Sequence, residues 1–306
     1  MFVLCTHHDP DIDGVGSALA LSIYLKGKGD KVVTLLESFP EYMHFLNGKE
    51  NLNPALEIKD LDNYTLIALD CASRDRVWPN EILDKAGRII NVDHHSDNTK
   101  FGDVNIVNPE VSSTAELLYN IFKVKKIELS VEVCENIYAG ILFDTGGFRY
   151  QNTNHETFLI STELLLKGVI ANKISEFVFD RWDEGGFKAL YIALRNIEYF
   201  GDGKILFSFI PYEEIKGRNL KSDDFESIVD ILRSDRKARI VIFVREIKKN
   251  LFKGSIRSKE EISVNHVAQK LGGGGHSHAA GFEAKATDIS SIKKKILKEA
   301  LSLTKK

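Results

Sequence analysis

Aspartate and histidine side chains gather at four places in the first half of this 306-residue chain. These places are residues 6–13, Asp70, residues 93–95 and Asp144. Each place alone is a weak signal, because a lone aspartate after a strand more often caps a helix or forms a turn. Their repetition is more informative, because several carboxylates packed together repel one another strongly unless a cation is bound. We therefore predict a metal site built from these residues.

The types of ligand narrow the choice of metal. Carboxylates and imidazoles without a thiolate favour Mn²⁺, with Mg²⁺, Co²⁺ or Fe²⁺ as alternatives, and argue against a structural zinc site. The candidate ligands outnumber those that one octahedral ion takes from a protein, so we expect two ions that share a bridging carboxylate. Two ions about 3.5–4 Å apart stabilise the attacking and leaving oxygens in phosphoryl hydrolysis. The first half of the chain thus predicts phosphoryl chemistry.

A run of four glycines followed by a histidine is the main feature of the second half. Successive backbone N–H groups in such a run can form an anion-binding nest, and the histidine can add a hydrogen bond to a phosphate. An arginine upstream ends a predicted strand, and its guanidinium suits a bidentate phosphate contact. A flexible loop and an ordinary surface arginine are the alternatives. The candidate substrate-binding residues are Arg257, Ser258, Gly273, Gly274, Gly275 and His276.

The elements that must position these residues alternate along the first half of the chain. Short β-branched runs predict buried strands, and stretches with apolar residues at helical spacing predict helices. We expect strands at residues 2–6, 31–36, 65–69 and 88–92, and helices at residues 16–26, 112–122, 131–143 and 154–175. This alternation predicts an α/β fold with a mostly parallel sheet and helices on both faces. Ligands bind at the carboxyl edge of such a sheet, where residues remote in sequence converge.

A break in this pattern near residues 181–186 separates a second, smaller region of strands and helices. We place the first domain at residues 1–180, a linker at 181–188 and the second domain at 189–306. In the second domain we expect strands at 205–210 and 239–246 and a lysine-rich helix at 292–306.

Composition and charge indicate the class of protein. Hydrophobic residues make up 43% of the chain and charged residues 28%, which is typical of a folded protein with two ordinary domains. The apolar run at residues 2–5 is too short for a signal peptide or a membrane span, and three scattered cysteines imply no disulfide framework. A cytoplasmic protein is expected. Residues 1–200 hold 19 basic and 30 acidic side chains, whereas residues 201–306 hold 22 and 14, which fits a metal-binding half and a phosphate-binding half.

Taken in order, these motifs resemble those of the DHH phosphoesterases. The matching motifs are His7-x-x-x-Asp11-x-Asp13, Asp70, Asp93-His94-His95, Asp144-Thr145-Gly146 and the GGGHxxAAG string at residues 273–281. The third motif is the signature of that family, and the last is similar to its DHH-associated C-terminal domain. The resemblance extends from about residue 3 to about residue 283. It implies a parallel-sheet catalytic domain, a smaller α/β domain that binds substrate, and an active site in the cleft between them.

The resemblance also implies roles for individual residues. It places one ion on His7, Asp11 and Asp70, and the other on Asp13, Asp70, His94 and Asp144, with Asp70 as the bridge. Asp93 and His95 lie just outside these sets and are the expected catalytic residues. Asp93 can orient an imidazole through its second nitrogen, and His95 can contact the scissile phosphate or assist proton transfer. Structural support alone is the alternative for these two.

Size and motifs are most similar to the compact nanoRNase and pAp phosphatase group of the family. The implied function is hydrolysis of short oligoribonucleotides, of dinucleotides such as pApA, and of pAp, to nucleoside monophosphates, with two divalent ions as cofactors. The alternatives are a single-strand-specific exonuclease of the RecJ type, a cyclic-di-AMP phosphodiesterase, and a non-catalytic nucleotide-binding module. Ile12 stands where glycine is common in the family, and the roles of His8 and His278 are open. The resemblance is compatible with a homodimer and implies no membrane partner.

Overall fold

The computed structural model describes residues 1–52, 61, 63–216, 218, 220, 223–225, 227–259, 262–275 and 277–304. The chain divides into two compact units, Met1–Arg181 and Trp182–Lys306. The linker at residues 181–188 stays a prediction. A helix begins inside that segment at Glu184, because the Asp183 side chain accepts a hydrogen bond from the N–H of Gly186 and caps the helix.

The first unit is built on a five-stranded parallel sheet of order β2-β1-β3-β4-β5. Its strands are β1 (Phe2–Cys5), β2 (Val32–Leu35), β3 (Tyr64–Leu69), β4 (Ala86–Asp93) and β5 (Val104–Val107). The first four lie within two residues of the predicted strands. The sequence pattern does not predict β5, which is a short edge strand with every position partly exposed.

Six helices are described in this unit. They are α1 (Ile12–Gly27), α2 (Ile82–Lys85), α3 (Thr114–Val124), α4 (Val131–Asp144), α5 (His155–Leu166) and α6 (Ala171–Phe179). Helix α1 begins four residues before its predicted start, because the Asp11 side chain accepts hydrogen bonds from the N–H groups of Asp13 and Gly14. The single helical stretch predicted at 154–175 is two helices, separated where Gly168 adopts a φ of +106°.

The two faces of the parallel sheet contribute to separate apolar cores, because successive side chains of a strand point to opposite faces. Leu4 and Leu69 belong to the core that also contains buried residues of α1, α3 and α4. Val3 and Leu66 belong to the second core, which includes the short helix α2 and Val77. This packing places the N-termini of α1 and α3 and the C-terminus of α4 near the carboxyl ends of β1, β3 and β4.

The second unit contains a six-stranded mixed sheet of order β10-β11-β9-β8-β7-β6, in which β7 and β8 are parallel and the other neighbours are antiparallel. Its strands are β6 (Ile197–Phe200), β7 (Ile205–Ile210), β8 (Ile240–Lys248), β9 (Leu251–Ser258), β10 (Gly274–Gly275) and β11 (Ala279–Lys285). Its helices are α7 (Glu184–Arg195), α8 (Tyr212–Ile215), α9 (Ile228–Leu232), α10 (Asn265–Gln269) and α11 (Ile289–Leu303). Helix α11 packs Ile292, Ile296 and Ala300 into the core of this unit.

The predicted α/β fold class is confirmed, with a parallel-sheet first unit and a smaller second unit of strands and helices. Among the described residues, no helix combines the length and the apolar character that crossing a membrane requires.

Candidate metal centre

The four predicted clusters converge at the carboxyl edge of the parallel sheet. His7 follows β1, Asp70 follows β3, and His94 and His95 follow β4. These three strands are neighbours in the sheet, so their ends lie side by side. The remaining carboxylates come from the first turn of α1 and from the last residue of α4, which is Asp144.

The first group of potential metal ligands comprises His7, Asp11 and Asp70, each of which offers one ligand atom within 4.8 Å of the others. The ring of His7 is oriented by its Nδ1 atom, which lies 2.6 Å from the carbonyl oxygen of His8. Nδ1 therefore donates, and Nε2 is turned toward Asp70 Oδ2 at 3.5 Å. Asp11 uses Oδ1 to cap α1, which leaves its second oxygen for an ion.

The second group comprises Asp13, His94 and Asp144, again with one ligand atom from each within 4.8 Å of the others. His94 Nε2 lies 3.2 Å from Asp144 Oδ2 and 3.7 Å from Asp70 Oδ1. Asp13 is completely buried, and a Cβ atom at Gly140 of α4 would come within 2.7 Å of its Oδ1. Glycine at position 140 therefore lets α4 pass close to this carboxylate.

Asp70 stands between the two groups. Its Oδ2 faces His7, and its Oδ1 faces His94, so its two oxygens point to opposite sides of the site. The residue is buried and adopts a left-handed φ of +60°, which aspartate tolerates better than most residues. This is the arrangement that a carboxylate bridging two ions requires.

Asp93 does not belong to either group, and it holds His95 instead. His95 Nδ1 donates to Asp93 Oδ1 at 2.7 Å, and Asn98 Nδ2 donates to Asp93 Oδ2 at 2.6 Å. His95 Nδ1 also lies 3.7 Å from Asp70 Oδ1, and Asp70, His94 and His95 form a third group with one ligand atom from each within 4.8 Å of the others. A buried carboxylate that accepts from both neighbours fixes the tautomer and the orientation of this imidazole.

The electrostatics of the site show an excess of negative charge. Burial, then the charges of Asp70 and Asp144, raise the pKa of Asp13 well above its usual range. Burial and the Asp70 charge likewise raise the pKa of Asp11 to about 6. Burial lowers the pKa of His7, but the hydrogen bond to Asp70 and the nearby carboxylate charges outweigh it and raise the pKa to about 9. These raised pKa values mean that the metal-free site binds protons to offset the charges of its carboxylates. Divalent cations would neutralise the same charges, so the side chains present fit bound metal ions.

The candidate phosphate-binding residues lie in the second unit. Arg257 is on β9, and its Nε donates to Asp230 Oδ1 at 3.1 Å. Ser258 is buried, and its hydroxyl donates to the carbonyl oxygen of Ile262 and lies 3.0 Å from His278 Nδ1. Substrate binding by these residues stays a prediction.

The backbone of the glycine run is hydrogen-bonded to neighbouring elements of the second unit. The N–H of Gly272 donates to the carbonyl of Gln269 and the N–H of Gly273 to that of Ala268, so both complete the C-terminus of α10. Gly274 and Gly275 form β10 and pair with β11. Substrate binding by Gly273, Gly274 and Gly275 stays a prediction, and His276 lies outside the described residues.

The sequence motifs did not single out Thr114 or Asn98, although each supports the site. Thr114 Oγ1 donates to Asp70 Oδ1, and Asn98 holds Asp93. Asn152 Nδ2 donates to the carbonyl oxygens of Ser112 and Asp144. The Ser-x-x-Glu pattern that starts at residue 113 marks a helix N-terminus, but nothing in it shows that Asp70 lies opposite.

Comparison with known proteins agrees with this geometry. Residues 1–141 match the N-terminal domain of the DHH family, and residues 202–302 match the DHHA1 domain. The bifunctional oligoribonuclease and PAP phosphatase NrnA of Thermus thermophilus is 32% identical over 294 residues, which are 96% of this chain and 87% of that protein. The probable bifunctional oligoribonuclease and PAP phosphatase NrnA of Streptococcus mutans is 26% identical and covers 97% of this chain and 94% of its own. The crystal structure of an exopolyphosphatase-related protein from Bacteroides fragilis matches 98% of this chain and 91% of its own with a TM-score of 0.88 and 28% identity.

Proposed function

We propose, because this chain belongs to the DHH family and carries a C-terminal DHHA1 domain, that it is a metal-dependent hydrolase of phosphate esters. Its proposed substrates are short oligoribonucleotides, dinucleotides such as pApA, and pAp, with nucleoside monophosphates as products. The relative from Thermus thermophilus is named for both activities. The observation that carries the proposal is the pair of ligand groups that meet at Asp70.

We assign two divalent ions, with Mn²⁺ preferred, to the two ligand groups. Carboxylate oxygens and imidazole nitrogens without thiolates support this choice. The proposed ligands are His7, Asp11 and Asp70 for one ion, and Asp13, His94 and Asp144 for the other, with Asp70 added to the second set because its Oδ1 lies 3.7 Å from His94 Nε2. When bound, the ions supply Lewis acidity toward the phosphate and lower the pKa of the attacking water.

His95 and Asp93 are the proposed catalytic pair. Burial lowers the pKa of His95, but the hydrogen bond to Asp93 and the charges of Asp70 and Asp93 outweigh it, so the pKa is raised. A cationic ring can donate a hydrogen bond to a phosphate oxygen and stabilise the charge that develops there. Asp93 accepts the hydrogen bond from Nδ1, so Nε2 is the ring nitrogen that we propose contacts the substrate.

The second unit is proposed to bind another part of the same substrate. Arg257 donates through Nε to Asp230 Oδ1 and through Nη1 to the carbonyl oxygen of Ile256, and a guanidinium held in this way is proposed to contact a phosphate. We therefore propose that residues 1–180 form the catalytic domain and residues 189–306 the substrate-binding domain, with residues 181–188 as the linker between them. A cytoplasmic location is also proposed, because Cys5, Cys71 and Cys134 are buried and unpaired.

One assay tests the function and separates it from its alternatives. The purified chain with Mn²⁺ is given pApA, pAp, cyclic di-AMP and RNA of about 2 to 15 nucleotides in parallel. We expect hydrolysis of pApA, pAp and the shortest RNAs, with a rate that falls as the strand lengthens. A preference for long strands would favour the exonuclease of the RecJ type, and turnover of cyclic di-AMP alone would favour the cyclic-dinucleotide reading. No turnover of any substrate would overturn the proposal.

Asp70→Asn tests the assignment of the site in the same assay. It keeps the size of the side chain but removes the shared charge, so we expect loss of measurable turnover. Asp288→Asn is the matched control, because Asp288 caps α11 in the second unit and asparagine caps helices equally well. Activity retained by Asp70→Asn would contradict the assignment.

A further inference from the structure

The N-terminus of α3 holds two of the metal-site carboxylates, although it contributes no ligand itself. The N–H of Thr114 donates to Asp13 Oδ2 at 2.7 Å, and the N–H of Ala115 donates to Asp13 Oδ1 at 2.9 Å. The hydroxyl of Thr114 donates to Asp70 Oδ1 at 2.8 Å. One turn of helix therefore contacts both Asp13 and Asp70.

The Thr114 hydroxyl is not needed to cap the helix. Ser113 is the N-cap, and its Oγ accepts the hydrogen bond from the N–H of Glu116. Thr114 is the first residue of α3 and is completely buried, as is Asp13, while Asp70 is almost so. Because Ser113 already caps the helix, the buried Thr114 hydroxyl has no role in capping. Its position is better explained by the hydrogen bond that it donates to the Asp70 carboxylate.

It matters which oxygen of Asp70 accepts this hydrogen bond, because the two oxygens face different ligand groups. Oδ1, the oxygen that Thr114 contacts, is also the one that faces His94, whereas Oδ2 faces His7. A donor on Oδ1 limits rotation of the carboxylate and occupies one of its lone pairs. It leaves the remaining lone pair pointing toward the ligand group of His94.

We propose that Thr114 is a positioning residue that sets the affinity of the ion shared by Asp13, Asp70, His94 and Asp144. This inference rests on the proposed metal-dependent function and adds a residue that determines how tightly one of the ions binds. Asp70 belongs to both ions, but the oxygen that the Thr114 hydroxyl holds is Oδ1, which faces His94 and therefore this ion. In the described part of the chain, neither His7 nor Asp11, which belong to the other ion, is hydrogen-bonded to α3. Thr114 thus acts selectively on one of the two ions.

The test measures metal binding directly in the full-length protein. Free Mn²⁺ is followed by electron paramagnetic resonance during titration of the wild type, Thr114→Val and Thr114→Ser. Valine keeps the branched shape of threonine and removes the donor, and serine keeps the donor. We expect two ions in the wild type and, in Thr114→Val, an increase in the Kd of one ion by about 10–100-fold, with the other little changed. Thr114→Ser should bind close to the wild type, and excess Mn²⁺ should restore the kcat of Thr114→Val.

Thr157→Val is the matched control, because Thr157 is also completely buried and its hydroxyl hydrogen-bonds with Asn154 at the start of α5. It should lower the Tm of the metal-free protein without changing either Kd. Should Thr114→Val fail to fold, which circular dichroism reports, Thr114→Ala is titrated instead and must show the same selective loss.

Two results would overturn the inference: unchanged Mn²⁺ affinities in the valine variant, or a serine variant as weak as the valine variant. Failure of the proposed function looks different, since the wild type itself would then bind no Mn²⁺ or hydrolyse none of the nucleotides.

Discussion

Removal of the metal ions should lower the free energy of unfolding of the first unit, and the size of the decrease depends on how many ions are bound. At a free Mn²⁺ concentration 100-fold above its Kd, each ion stabilises the folded state by about 2.7 kcal/mol. Two ions, one on each ligand group that meets at Asp70, therefore contribute about 5 kcal/mol. For a unit the size of Met1–Arg181, 1 kcal/mol corresponds to about 2–4 °C, so chelation by EDTA should lower the Tm by about 10–20 °C.

Two substitutions separate the contributions of the ions. Asp11 belongs to one ligand group, so Asp11→Asn should keep about half of the shift in Tm caused by Mn²⁺. Asp70 serves both sides of the site, so Asp70→Asn should lose nearly all of it. Asparagine at position 11 can still cap α1 through its side-chain oxygen, so the fold is preserved.

The assay is thermal unfolding followed by circular dichroism, with Mn²⁺ titrated from zero to saturation. The shift in Tm is compared at the same free Mn²⁺ concentration, about 100-fold above the Kd of the wild type. Equal shifts in Asp11→Asn and Asp70→Asn would refute the bridging role of Asp70. A wild-type Tm that does not respond to Mn²⁺ would refute the metal centre itself.

Three further predictions follow from the same geometry. Because the pKa of Asp11 is about 6 in the folded chain against an ordinary 3.8, the metal-free folded state binds this proton more tightly than the unfolded state, and stability falls as the pH rises from about 4 to 6. Asp11→Asn should remove the contribution of Asp11 to that fall and raise the free energy of unfolding at pH 7 by up to about 3 kcal/mol, measured by urea unfolding in EDTA; a lower stability would contradict this. Asp93→Asn should lower kcat by about 100-fold or more while both Mn²⁺ ions still bind, since it disturbs only the tautomer of His95; loss of Mn²⁺ binding would instead make Asp93 a ligand. Arg257→Gln should raise KM for pApA more than it lowers kcat in steady-state kinetics, and an unchanged KM would remove Arg257 from the substrate site.

Local patterns were sufficient for most of the first unit. Short β-branched runs and helical spacing predict four of the five strands and the helices that flank them, because burial on a sheet or against it dictates those periods. The strand β5 is not predicted, because an edge strand with partly exposed residues lacks a clear apolar pattern. The apolar pattern also places the start of α1 too late in the sequence. The residue that caps this helix, Asp11, is interpreted from the sequence as a metal ligand and not as a helix cap.

The second unit shows the limit of motif reading. Four glycines in a row permit an anion nest, a loop or a strand, and the sequence does not choose among them. Their neighbours decide: α10 accepts the N–H groups of Gly272 and Gly273, and β11 pairs with Gly274 and Gly275. Because glycine has no Cβ atom, the backbone of these four residues can adopt many conformations, and the hydrogen bonds to α10 and β11 select one of them.

The sequence by itself predicted which side chains form the candidate site and at which ends of the elements they stand. His7, Asp70 and His94 follow strands that a parallel sheet must align, so their convergence follows from topology alone. Only the tertiary structure decided how the carboxylates are held. Thr114 reaches Asp70 across 44 positions, and its N–H reaches Asp13 across 101. Hydrogen bonds between segments so distant depend on how α3 packs beside the sheet to within a fraction of an ångström, and no local pattern carries that information.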